Sequence, residues 1–100
     1  MAEFCLTLIC PPTVEEKLLD TLLATAGSEV FTSTSTHSHG TAQGRLTAEE
    51  QVMGRSRAMQ VQVLLTGAEL DGLRETLRSD FAGTGLRYWA TPVAVEGEFA

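Results

Sequence analysis

Residues 4–10 (FCLTLIC) carry apolar and β-branched side chains at both parities, the pattern of a central strand covered on two faces. Pro11 and Pro12 follow, and neither can donate a backbone N–H, so the ladder stops there. Thr13-Val14-Glu15-Glu16 has the spacing of a capping box, in which hydroxyl and carboxylate each satisfy an orphan N–H of a first helical turn. Val14, Leu18, Leu19, Leu22, Leu23 and Ala26 then recur at helical spacing before Gly27, which predicts a first helix. Residues 29–37 (EVFTSTSTH) are β-branched and hydroxyl-rich, a strand with little apolar content beyond Val30 and Phe31, whose far end is an edge or projects beyond the sheet. Residues 58–65 (AMQVQVLL) alternate, with Met59, Val61, Val63 and Leu65 on one side and Gln60 and Gln62 on the other, a half-buried strand. Thr66-Gly67-Ala68-Glu69 repeats the capping box, and Leu70, Leu73, Leu77 and Phe81 form the stripe of a second helix that ends by Gly83. Residues 86–93 (LRYWATPV) are the last long strand.

Strand, helix, strand, strand, helix, strand is the βαββαβ order. Right-handed crossovers fold it into an α+β, ferredoxin-like domain with a four-stranded antiparallel sheet and both helices on one face. One such domain accounts for residues 1–100. The helices leave one sheet face open, yet the first and last strands carry bulky apolar groups on both: Leu6 and Leu8 against Ile9, Tyr88 against Trp89 and Val93. An uncovered apolar sheet face is rare on a monomer, so another subunit is expected there. Tyr88 and Trp89 face opposite ways, one under the helices and the other in an interface or cleft.

With 43% hydrophobic and 20% charged residues, the chain is expected to be globular rather than disordered. A net charge of −6 argues against a general nucleic-acid binder, which needs a basic face for phosphates. No apolar run approaches the roughly 18 residues of a spanning helix. Glu3 stands directly before the first apolar run without a basic region, so no secretory signal is expected and the expected compartment is the cytoplasm. Cys5 and Cys10 lie on opposite faces of one strand and read as small hydrophobes rather than a disulfide.

Between the middle strands lie residues 38–56, nineteen residues where a hairpin needs about two to five. Arg45, Arg55 and, at its base, Arg57 oppose Glu49 and Glu50, which makes the loop net +1 on a body that carries −7 of the total of −6. Thr47-Ala48-Glu49-Glu50 is a third capping box, and Gly40, Gly44 and Gly54 supply bends. Three arginines on such a loop suit an anionic ligand or an acidic partner surface; a solvated loop without a ligand is the alternative.

This order of elements, the long middle loop, and the stretches HGTAQGRLTAEEQVMGRSR (residues 39–57) and LRSDFAGTGLRYWATPV (residues 77–93) resemble the PII signalling proteins. More specifically, they resemble a small PII-like family of unknown function often associated with heavy-metal efflux genes. The resemblance covers nearly the whole chain. It implies a homotrimer with ligand clefts between subunits and a projecting T-loop that docks on a membrane transporter or a regulatory protein, without catalysis. PII proteins hold nucleotide phosphates on a glycine-rich, lysine-bearing loop before the last strand. Here the matching segment, Ala82 to Arg87, has no lysine, and Cys10 stands before Pro11 where PII has one. Charge compensation for a triphosphate is therefore poor, while AMP or ADP held by Arg87 and the amides of Gly83 and Gly85 stays open. Without a ligand, the two glycines serve as a helix stop and a turn.

His37-Ser38-His39 is the only metal-ligand pattern: in a strand the two imidazoles share a face and could hold one divalent transition metal, with Cys10, Glu49, Glu50 or a neighbouring subunit completing the set. No nucleophile elbow, zinc-protease helix or P-loop is present. The leading reading is a PII-like signalling protein. The alternatives are a simple metal-binding protein using His37 and His39, and a ferredoxin-like enzyme or structural trimer.

Overall fold

A computed structural model describes residues 1–25, 30–40 and 55–100. Strand β1 spans Phe4–Cys10, as its pattern requires. A 3-10 turn (Pro12–Val14) leads into helix α1 (Glu15–Ala24). Strands β2 (Phe31–His39) and β3 (Arg55–Leu65) follow, then helix α2 (Gly67–Asp80) and strand β4 (Arg87–Pro92). The sheet order is β2-β3-β1-β4, with every neighbouring pair antiparallel. The ferredoxin-like α+β arrangement is therefore the observed one.

The register sorts the side chains. Leu6 lies opposite Val63, and Leu8 opposite Val61. These four are buried with Leu18 and Leu22 of α1 and Leu70, Leu73 and Leu77 of α2. Removing the equivalent of a buried leucine from so closed a layer costs about 2–5 kcal/mol, so this interface between helices and sheet carries most of the stability. Positions of the opposite parity form the other face: Cys5, Thr7 and Ile9 on β1, Gln60, Gln62 and Leu64 on β3, Arg87, Trp89 and Thr91 on β4. Thr7 is buried there and accepts a hydrogen bond from Gln62 Nε2 at 3.2 Å. Trp89 remains 47% exposed and Leu64 42%.

Two elements depart from the sequence pattern. Thr13 does not cap α1: the N-cap is Val14, and no side chain caps it. Proline fixes φ near the helical value, so Pro12 starts a tight turn earlier, and the N–H of Val14 already donates to Pro11 O at 3.0 Å. Glu15 and Glu16 are left to complement the helix dipole. α1 ends at Ala24 with Thr25 extended, and Leu23, expected in the apolar stripe, is exposed. The stop expected at Gly27 lies outside the described residues.

The second departure concerns the long loop. β2 and β3 pair through Thr36↔Ala58, His37↔Arg57, Ser38↔Ser56 and His39↔Arg55, whereas β1 ends opposite Met59. The strands thus run on as a two-stranded arm past the end of β1, and residues 38–39 and 55–56 of the expected loop belong to it. A hydroxyl-rich strand needs no apolar face to continue once its ladder is formed. The third capping box and Arg45 lie outside the described residues.

Candidate functional site

Helix α2 begins on the capping box expected at Thr66. Thr66 Oγ1 accepts from Glu69 N at 3.2 Å, and Glu69 Oε1 accepts from Thr66 N at 2.8 Å. These hydrogen bonds hold the Glu69 carboxyl below its ordinary value, the backbone N–H of Thr66 contributing most. The helix then lays Leu70, Leu73 and Leu77 on the sheet, which turns Arg74 and Arg78 along its flank toward the β4 edge. At its other end Lys17 of α1 reaches across: its Nζ donates to Asp80 O at 2.6 Å and stands 4.7 Å from the centroid of the Phe81 ring.

Beyond Phe81 the chain turns through Gly83 (φ +77°) and Gly85 (φ +86°), backbone that other L-residues enter only at a cost. Thr84 stitches the turn, with its Oγ1 donating to Phe81 O at 2.7 Å and Leu86 N donating to that same Oγ1 at 3.3 Å. The backbone N–H groups of Gly83 and Gly85 donate to no other described residue. Gly85 packs against Pro11, where an added Cβ would lie 3.5 Å from Cγ.

Together these segments enclose a pocket of ≈ 330 Å³. Leu77 and Phe81 form its apolar floor, Gly83 and Gly85 one wall, Tyr88 of β4 another, and Arg74 and Arg78 its rim. Arg74 Nε donates to Tyr88 Oη at 3.0 Å with the guanidinium over the ring, 5.8 Å from its centroid. That hydrogen bond raises the Arg74 pKa further above its ordinary value, so the group is a permanent cation. Arg78 makes only a loose 3.8 Å pair with Glu75, both side chains exposed, which contributes little. The rim therefore keeps guanidinium donors for an anion, above an apolar floor.

Of the residues expected from sequence, Gly83 and Gly85 line this pocket; Arg87 does not. Arg87 lies opposite Ile9, on the open face with Trp89. Arg74, Arg78 and Tyr88 escaped the sequence reading as site residues. Their available signal was the i, i+4 spacing of two arginines beside an apolar stripe.

The remaining candidates lie along the arm. His37 and His39 share a face and are exposed, as two positions apart in a strand require. Their register partners on β3 are Arg57 and Arg55. Among the described residues no group of three or more His, Cys, Asp or Glu comes together. Cys10, a potential third donor, is buried under the helices, and desolvation, followed by the charge of Glu15, pushes its thiol pKa up and away from the thiolate a metal needs. Glu49 and Glu50 lie outside the described residues.

Residues 1–100 match the model of a family described as "Protein of unknown function (DUF3240)". The chain belongs to the DUF3240 family. No curated protein matches this DUF3240 chain. Among solved structures, a DUF3240 family protein from Shewanella baltica superposes with a TM-score of 0.81 at 17% identity, covering 100% of this chain and 99% of that one. CPII, a nitrogen regulatory PII-like protein from Thiomonas intermedia solved with ADP, AMP and bicarbonate, gives 0.75 at 12% identity over 99% and 98%. The GlnK–ATP complex of B. subtilis gives 0.67 at 12% identity over 93% and 83%. At these identities the likeness is one of fold, and the fold is that of PII-like signalling proteins. Among the described residues no helix is long and apolar enough to cross a membrane.

Proposed function

We propose that this DUF3240 protein is a non-enzymatic PII-like signalling protein that binds a small anionic ligand, a nucleotide such as AMP or ADP, in the pocket between α2 and β4. The observation that carries this reading is the meeting of two arginines, an exposed tyrosine and an open glycine turn around one apolar floor. A phosphate would take the guanidinium donors of Arg74 and Arg78 and the N–H groups of Gly83 and Gly85, while a base would lie on Tyr88 and Phe81. Only seven basic residues occur in the chain, and its one lysine is engaged at the end of α2, so one or two phosphates suit the site better than three. The ADP and AMP found with CPII support this ligand class by fold analogy.

In this reading the protein is a homotrimer whose neighbouring subunits cover the open sheet face around Trp89 and close the pocket into a cleft. The ligand binds one state of the segment between β2 and β3 better than another, and that segment with Arg45, together with Arg55 and Arg57 on the β2–β3 arm, is what a regulated partner such as a membrane transporter reads. Thermal unfolding with AMP, ADP, ATP and inorganic phosphate tests the ligand. AMP or ADP at a hundred times its Kd raises stability by about 2.7 kcal/mol, and the ligand class is wrong if no nucleotide moves the transition. Sedimentation showing a monomer would remove the cleft.

A further inference from the structure

Two arginines stand on the rim of the α2–β4 pocket, and they are held differently. Arg78 has its loose 3.8 Å pair with Glu75, whereas Arg74 is bound through Nε to the Tyr88 hydroxyl at 3.0 Å. Tyr88 lies opposite Leu8, so its ring stands on the sheet face that the helices cover, beside the flank of α2. The Arg74 Cζ is 5.8 Å from the ring centroid, close to the outer limit of about 6 Å for a cation over an aromatic face. The hydroxyl therefore holds the guanidinium more than the ring does. Acids compete for the same group. Asp71 and Glu75 flank Arg74 on α2, and both raise its pKa after the larger effect of Tyr88. Asp71 lies three residues before Arg74, a spacing at which opposite charges pair on an exposed helix. Yet among the described residues neither acid forms an ion pair with Arg74.

We propose that Tyr88 is a positioning residue for the anion that the pocket takes, its hydroxyl drawing Arg74 away from Asp71 and fixing it with one bidentate edge of the guanidinium free. The role rests on the reading of the pocket as an anion site and deepens it. A guanidinium can clasp a phosphate along its Nε–Nη edge or along its Nη1–Nη2 edge. The Tyr88 hydroxyl occupies Nε and so removes the first choice. The second edge is left on the same rim as Arg78 and the Gly83–Gly85 turn. An arginine on a bare helix flank gives up rotamer freedom when an anion arrives; here the hydrogen bond has already restricted it, so less is lost on binding. Recognition by this route is of the phosphate and not of the base. Removing the hydroxyl should therefore weaken inorganic phosphate and a nucleoside phosphate alike.

Tyr88→Phe keeps the ring and deletes the hydroxyl. Inorganic phosphate, followed by ³¹P NMR, and AMP, followed by calorimetry, are titrated into the full chain and its variants. Both affinities should fall about fivefold in Tyr88→Phe, the worth of one ordinary hydrogen bond, and by the same factor. Adding Asp71→Asn recovers most of that loss, by more than the same substitution gains in the wild type, because the freed guanidinium no longer has that carboxylate to fold back on. In an Arg74→Met background, Tyr88→Phe has no further effect. The ¹H–¹⁵N signal of Arg74 Nε–H broadens in Tyr88→Phe, which a merely structural role for the ring would not produce. Asp71, Arg74 and Tyr88 lie outside the buried core, and circular dichroism checks that the variants fold. Phosphate bound equally well by wild type and Tyr88→Phe, an undiminished loss in the Arg74→Met background, or no recovery with Asp71→Asn would each overturn the proposal. If phosphate behaves as expected while AMP does not bind the wild type, the nucleotide reading falls and the positioning role stands. If neither binds, both fall.

Discussion

Lys17 offers the sharpest check on how the pocket is held. It is the chain's only lysine, and its Nζ joins α1 to the last turn of α2 through Asp80 O at 2.6 Å and the Phe81 ring at 4.7 Å. Lys17→Met keeps most of the aliphatic stem and removes only the charged head. A hydrogen bond from a charged donor is worth about 1.5 kcal/mol at the lower end of its range, which suits an exposed pair. The ammonium over the ring adds about 0.5 kcal/mol. Water can hydrate the freed carbonyl, so no buried-group penalty is added, and the expected loss is about 2 kcal/mol. In urea, with a slope near 1 kcal/mol per molar for a chain of this size, the midpoint falls by about 2 M at fixed protein concentration. Amide exchange should localise the effect: Phe81 N, donating to Leu77 O, and Thr84 N, donating to Phe81 O, lose protection first. Lys17→Arg should retain most of the stability. If Lys17→Met stays within about 0.3 kcal/mol of the wild type, a margin typical of inert surface changes, the clamp is ornamental and the reasoning fails.

Other expectations follow from the same packing. Leu22→Ala, at a fully buried position under the sheet, lowers unfolding free energy by about 3 kcal/mol in urea titration. Thr66→Ala removes the cap acceptor for Glu69 N and costs about 1 kcal/mol by the same assay. Because the folded Glu69 pKa lies below its unfolded value, its contribution is complete above the ordinary carboxylate range near about 4 and is lost as pH falls through the depressed folded value. Stability against pH should therefore fall less steeply on the acid side in Glu69→Ala than in the wild type. Gly85→Ala forces a Cβ onto backbone at φ +86° and costs about 1 kcal/mol or more, while the neighbouring Pro11 at 3.5 Å adds only ordinary contact.

How much of this was legible in the sequence depends on whether a signal was local. The bounds of β1 follow from two prolines and a saturated apolar run, and α2 follows from Thr66, Glu69 and a clean stripe; both come out as read. Thr13-x-x-Glu16 has the same lettering as the second box, yet Pro12 pre-empts it, because a fixed φ organises the turn before the hydroxyl is needed. The β2–β3 arm was cut short in the sequence reading because its residues, from Thr36 to His39 and from Arg55 to Ala58, show little apolar alternation; ladder pairing alone extends it. The pocket was half legible. Gly83 and Gly85 stand out as punctuation, but Arg74 and Arg78 look like a solvated flank until the crossover of α2 places that flank over Tyr88. Arg87 sits beside Tyr88 in sequence and on the other side of the sheet in space.

The account stands most directly on calorimetric titration of AMP and ADP into the wild type and into Arg74→Ala/Arg78→Ala. It predicts saturable binding to the wild type and affinity at least about tenfold weaker in the double variant, since each charged donor to a phosphate is worth on the order of 1.5 kcal/mol. Binding of equal strength in both proteins would place the ligand elsewhere, and no heat with either nucleotide in the wild type would contradict the central claim.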